Sequence, residues 1–121
     1  ACRYAVCDLT AMAEDTHRFE ARYLDGLVGA WPEQRARYKA RSPLQHADRI
    51  RCPVLFFQGL QDKVVSPAQT EQMADALKAN GVPVQVRLFE TEGHGFRDSN
   101  VQIQVLEETE TFFRQTLGLQ A

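Results

Sequence analysis

The chain has 121 residues, 44% hydrophobic and 25% charged, proportions that suit one soluble folded unit rather than a disordered tail or a string of domains. Fourteen Lys and Arg against sixteen Asp and Glu leave a net charge of -2 without any basic block, which argues against nucleic acid as a partner. No apolar run approaches the ~20 residues of a membrane helix and no signal-peptide pattern opens the chain, so a soluble, cytoplasmic location with no membrane partner is expected.

"ACRYAVC" opens in mid-strand, without an initiator Met or a polar lead-in, and reads as part of a longer protein. A strand is expected over 3–9, then a helix over 14–28 with Phe19, Tyr23, Leu24 and Leu27 on one side. Gly29 and Pro32 break that helix, and "PEQRARYKAR" reads as a short polar helix that stops at Ser42-Pro43. "CPVLFFQG" (52–59) is a nearly continuous apolar run between Pro and Gly, as expected of a strand buried on both faces of a parallel sheet. In "SPAQTEQMADALKANG" Ser66 is the expected N-cap, Pro67 the first helical residue and Gln69 the far half of a capping box. Met73 and Leu77 mark the core face of this helix, and Asn80-Gly81 its stop.

"VPVQVRLF" (82–89) alternates Val82, Val84, Val86 and Leu88 with polar residues, the pattern of a strand with one wetter face near a sheet edge. Strand, helix and strand with short joins make a right-handed crossover unit. After an "EGHGF" loop, Ser99 or Asn100 would cap a last helix whose apolar stripe is Val101, Val105, Leu106, Phe112 and Phe113. The fold class is therefore α/β, about three parallel strands with flanking helices, and so few strands leave sheet edges to be accounted for.

Cys2, Cys7 and Cys52 are odd in number and lack the spacing of a disulfide framework, so reduced thiols are expected. No C-x-x-C or H-x-x-x-H pairing supports a metal site. His17 and His46 read as solvent-facing or capping histidines, and Tyr23, Trp31 and Tyr38 as core aromatics.

Asp62 follows one apolar strand and His94 the next, so both fall on loops at the carboxyl ends of adjacent strands, where open α/β sheets collect their reactive groups. A histidine base needs a carboxylate on its other ring nitrogen, and these two residues are placed to form that pair. Gly93 and Gly95 would let the backbone turn sharply enough to bring the ring in. Two plainer readings stand beside this one: Asp62 as a turn aspartate ahead of Ser66-Pro67, and His94 as a surface-turn residue.

The local words are more specific than the spacing. "SPLQHADRIRCPVLFFQGLQDKVVSPAQTEQMADAL" followed by "VQVRLFETEGHGF" resembles the C-terminal part of the catalytic domain of the prolyl oligopeptidase family of serine peptidases, in its acylaminoacyl-peptidase and dipeptidyl-peptidase-like branch. The matching positions are Gly59, Asp62 and Val65 of a G-x-x-D-x-x-V loop, and Gly93, His94, Gly95 and Phe96 of a G-H-G-F loop. The resemblance implies an α/β-hydrolase fold, with residues 1–121 as a C-terminal fragment of one such domain. It implies Asp62 as the orienting acid, His94 as the general base and Val65 as a wall of the substrate pocket, acting on a peptide or acyl-peptide substrate. It implies no metal and no organic cofactor. Val64 stands where some relatives carry Arg or Asn, a departure that bears on oligopeptide preference.

Ser42, Ser66 and Ser99 all lie outside any G-x-S-x-G elbow; the resemblance, in which the nucleophile lies upstream of a strand like "RYAVC", implies a serine before residue 1 and an isolated chain that is inactive. Surfaces exposed by truncation would then favour a homo-oligomer. A carboxylesterase or dienelactone-hydrolase-like enzyme shares the fold and triad order, and a non-catalytic α/β binding module is the reading from another class.

Overall fold

The computed structural model describes residues 1–15 and 23–119. Three parallel strands, β1 (Cys2–Arg3), β2 (Val54–Gly59) and β3 (Val84–Phe89), form one sheet in the order β1-β2-β3. The helices are α1 (Leu9–Asp15), α2 (Arg35–Ala40), α3 (Pro67–Ala79) and α4 (Ser99–Thr116), with 3-10 turns at Tyr23–Gly26 and Pro43–Arg49. The expected three-stranded parallel sheet with flanking helices is what the chain adopts. No described helix is long and apolar enough to cross a membrane.

β2 is the central strand, and its alternate side chains enter different cores, which is why Val54 to Phe57 are apolar without a break. Phe56 packs with Met73, Ala74 and Leu77 of α3 and with Val82, Cys7 and Ala47. Leu55 and Phe57 turn to the opposite face, against Phe89 of β3 and Val105 and Phe112 of α4. The register runs from Val54 opposite Val84 to Gly59 opposite Phe89, so β2 and β3 end level and their loops leave side by side. That alignment positions the site.

α3 is punctuated at both ends. Ser66 accepts a hydrogen bond from the Ala68 N–H, and Pro67 occupies the first turn. At the other end Gly81, at φ +78°, donates to the Lys78 carbonyl and Val82 donates to that of Leu77, the paired bonds of a Schellman motif. The capping box with Gln69 does not form. The Gln69 side chain is buried and its Oε1 accepts from the N–H groups of Cys7 and Asp8, at 2.9 and 3.0 Å.

That contact also explains why the first strand is shorter than the expected 3–9. The Tyr4 N–H still reaches the Phe57 carbonyl, but Tyr4 then turns to φ +41° and the chain leaves the ladder. Cys7 and Asp8 satisfy their N–H groups on a side chain rather than on a strand.

Of the helix expected over 14–28, residues 16–22 lie outside the described residues, Glu14 and Asp15 end a helix that starts earlier, and residues 23–26 form a 3-10 turn. α1 begins at Leu9, where the Asp8 carboxylate accepts from the Ala11 N–H and Ser42 Oγ accepts from the Leu9 N–H. Phe19 and His17 lie outside the described residues. Leu24 and Val28 are buried with Tyr38, whereas Tyr23 and Leu27 face solvent, because residues 23–26 follow a three-residue turn rather than an α-helical one. Tyr38 is fully buried, with Trp31 edge-on to its ring and its hydroxyl donating to the Gly29 carbonyl.

Asp98, rather than Ser99 or Asn100, caps α4, accepting from the Asn100 and Val101 N–H groups. Of the expected stripe, Val105 and Phe112 are buried and Val101 partly so, while Leu106 and Phe113 are exposed.

Candidate active site

The turn after β2 folds around one carboxylate. Asp62 Oδ1 accepts from the N–H groups of Val64 and Val65, both at 2.8 Å, which is why the chain bends back here before Ser66 starts α3. Oδ2 meets Nδ1 of His94 at 3.0 Å, and the Gln58 amide at 3.4 Å. A carboxylate already filled by donors acts as the acceptor here, so Nδ1–H of His94 donates and Nε2 is left as the basic nitrogen of the neutral ring. The Asp62 side chain is 0% exposed and that of His94 37%. Val65, expected to wall a substrate pocket, is buried in the same turn, its N–H on Asp62 and its carbonyl facing the Gln58 amide.

Gln58 extends the network into the core. Its side chain is fully buried, its amide donates to the Gly59 carbonyl, and its Oε1 accepts from the Thr70 hydroxyl of α3. A polar residue ending an apolar strand run, just before a glycine, was the signal for it in the sequence.

The loop carrying His94 is clasped to the Asp62 loop by its backbone. Leu60 donates to the Phe89 carbonyl, Gln61 to that of Glu92 at 2.9 Å, and the Gln61 side chain to that of Glu90. The two chains run so close at Gly59 that any Cβ there would collide with the Glu92 carbonyl and lie 2.7 Å from that of Gly93. The Glu92 side chain is buried and accepts from the Arg97 N–H at 2.6 Å, closing residues 92–97 into a tight loop with His94 inside it. Only one of the two glycines flanking His94 needs to be glycine for its conformation: Gly95 has φ +93°, whereas Gly93 lies outside the left-handed region and a Cβ there would make ordinary contact.

Tyr4, from the end of β1, completes the surround. Its ring centroid lies 4.5 Å from that of His94 and 5.3 Å from Phe96, which in turn stands edge-on to Phe89. Tyr4, Gln58 and Glu92 were not singled out from the sequence: Tyr4 meets His94 from far away in the chain, while Gln58 and Glu92 reach partners only four and five residues on, Asp62 and Arg97.

The other described histidine, His46, and the thiols stand apart from this pair. His46 Nε2 contacts the Ala40 carbonyl at 2.6 Å. Cys7 is buried, Cys2 half-buried and Cys52 exposed, all as free thiols. Burial, with smaller contributions from Cys2 and Asp8, pushes the Cys7 thiol up to about 11.

Comparison with known proteins bears on what this arrangement serves. The family model described as the prolyl oligopeptidase family of S9 peptidases matches residues 1–120. The chain is 37% identical over 86 residues to dipeptidyl peptidase family member 6 of Caenorhabditis elegans, covering 71% of this chain and 12% of that protein. It is 41% identical over 78 residues to dipeptidyl aminopeptidase BIII of Pseudoxanthomonas mexicana, covering 64% and 11%. Among solved structures, a Mycobacterium tuberculosis puromycin-hydrolyzing peptidase superposes with TM-score 0.93 at 46% identity, over 98% of this chain and 18% of that one. The chain thus spans 12% and 11% of the length of these curated relatives.

Proposed function

The chain belongs to the prolyl oligopeptidase family, and from that premise we propose that it supplies the acid and the base of a serine peptidase's catalytic triad, Asp62 and His94. The observation that carries this reading is the 3.0 Å contact from His94 Nδ1 to a carboxylate with 0% exposure.

In this reading Nε2 of His94 takes the proton from a serine hydroxyl as the oxygen attacks a peptide or acyl-peptide carbonyl. The buried Asp62 carboxylate stabilises the imidazolium that forms and keeps the ring in the tautomer that presents Nε2. The imidazolium then gives its proton to the leaving amine, and a water attacks the acyl-enzyme with His94 again as base. The backbone bonds on Asp62 Oδ1 leave Oδ2 for the imidazole.

The serine belongs, on this account, to another segment of the protein. Ser42 Oγ is occupied by the Tyr38 carbonyl and the Leu9 N–H, Ser66 caps α3, and Ser99 opens α4. Residues 1–121 are then the C-terminal part of an α/β-hydrolase domain, inactive alone. Exposed Leu106 and Phe113 on α4, with Leu117 just past its end, support self-association of the isolated chain. The free thiols support a reducing, cytoplasmic location.

The test is hydrolysis by the intact protein of a peptidyl arylamide against a simple aryl ester of matched leaving group. A peptidase cleaves both. Cleavage of the ester alone would put an esterase in its place, and cleavage of neither, with both substrates bound, would favour a binding module.

A further inference from the structure

We infer that Tyr4 is a positioning residue for His94, one that holds the imidazole without touching the reacting atoms; the inference rests on the reading of His94 as the base. Among the described residues Tyr4 is the one non-glycine residue with positive φ, at +41°. A bulky side chain is rarely found there, because its Cβ crowds the following carbonyl. Strain of this kind persists only where the surrounding structure imposes it, and it is concentrated at functional sites.

What imposes it is visible. The Tyr4 N–H remains on the sheet, donating to the Phe57 carbonyl at 2.8 Å, while the chain turns off the ladder at that residue. The ring then lies 4.5 Å from the imidazole at an interplanar angle of 52°, and edge-on to Phe96 at 5.3 Å. Tyr4 is only half-buried, so core burial does not account for a strained backbone.

The contact supplies what the Asp62 bond cannot. One hydrogen bond at Nδ1 fixes that atom but leaves the ring free to tilt about it, and a tilt moves Nε2, the nitrogen that must meet the serine. A wall on a second side removes that freedom. Three loops, one after each strand, therefore converge on His94: Asp62 after β2, its own loop after β3 and Tyr4 after β1.

The experiment is steady-state hydrolysis of a peptidyl arylamide by the intact protein carrying Tyr4→Phe, Tyr4→Leu or Tyr4→Gly, with His94→Ala alongside. Phe keeps the ring and is expected to hold kcat within about twofold. Leu and Gly remove it and are expected to lower kcat roughly 10- to 100-fold, as small misplacements of a catalytic group do, with KM changed much less. Gly also relaxes the left-handed backbone, which offsets part of the packing lost with the ring, so its melting temperature should fall less than that of Leu while its kcat falls as far; a kcat loss that does not follow the stability loss separates positioning from folding. Wild-type kcat in the Leu or Gly variant while His94→Ala is inactive would overturn the role of Tyr4 and leave the base assignment standing. A loss confined to KM, or a Phe variant as impaired as Leu, would also overturn it. Full turnover in His94→Ala would overturn both.

Discussion

Asp62 is wholly withdrawn from solvent, while His94, bonded to it at 3.0 Å, keeps 37% of its side chain exposed. A lone buried carboxylate costs several kcal/mol, so it persists only with donors on it. Here they are the Val64 and Val65 N–H groups, the Gln58 amide and the imidazole. The asymmetry suits a base: one nitrogen is held on a buried carboxylate, and the residue also lines an open depression of about 270 Å³.

Gly59 sets the distance between the two loops. In Gly59→Ala the new methyl meets backbone, the Glu92 and Gly93 carbonyls, which cannot swing aside as a side chain would. The intact protein should lose about 1–3 kcal/mol of stability, and its kcat should fall as His94 is pushed from Asp62. Thermal denaturation with steady-state assay checks both; an unchanged melting temperature would mean the loops are not clasped here.

Gln58→Leu should cost about 1–3 kcal/mol, because it strips a partner from the buried Thr70 hydroxyl and a donor from Asp62. Adding Thr70→Val removes one of the two orphaned groups, so the double variant should recover part of the stability. Simple additivity in a denaturation cycle would show that the two side chains are not coupled.

The edge strand is tied to the last helix by Arg87 and Glu108. Partial burial opposes ionisation of Glu108, but hydrogen bonds from Arg87 and Gln104, with the Arg87 charge, outweigh it and hold the carboxyl below its ordinary value. The resulting stabilisation is full above the unfolded carboxyl's range and is lost as pH falls through the lowered value. Both groups are partly exposed, so Arg87→Ala should cost only about 0.2–1 kcal/mol at neutral pH, less in high salt and nothing in acid. Urea denaturation at several pH values checks the sign; a cost that grew in acid would contradict it.

The thiols should separate by reactivity. With Cys7 raised to about 11 and Cys52 exposed, iodoacetamide near pH 8 should modify Cys52 readily and Cys7 only on unfolding. Peptide mass mapping after timed quenching reads this out. Equal rates would mean that Met73, Ala74 and Leu77 of α3 do not cover Cys7.

The sheet was legible because β2 is apolar on both faces and α3 carries its own start and stop residues, so local chemistry and tertiary packing agree there. The pair was legible because Asp62 and His94 lie on the loops leaving the carboxyl ends of adjacent strands, within short motifs more specific than their spacing. The first 30 residues were read less well. Gln69, 62 residues away from Cys7, takes the N–H groups that a longer β1 would have needed, and no pattern within residues 3–9 signals that. Tyr4 escaped for the same reason, since it meets His94 only across the sheet's end, whereas Gln58 and Glu92 act on neighbours within their own turns, Asp62 and Arg97.

Fluorophosphonate labelling of the intact protein bears most directly on Asp62 and His94 as acid and base. Wild-type protein should label covalently at one serine, His94→Ala should label more slowly by a factor on the order of 10³ or more, and Asp62→Asn should approach the same loss, with melting temperatures little changed. Labelling of His94→Ala at the wild-type rate would contradict the account.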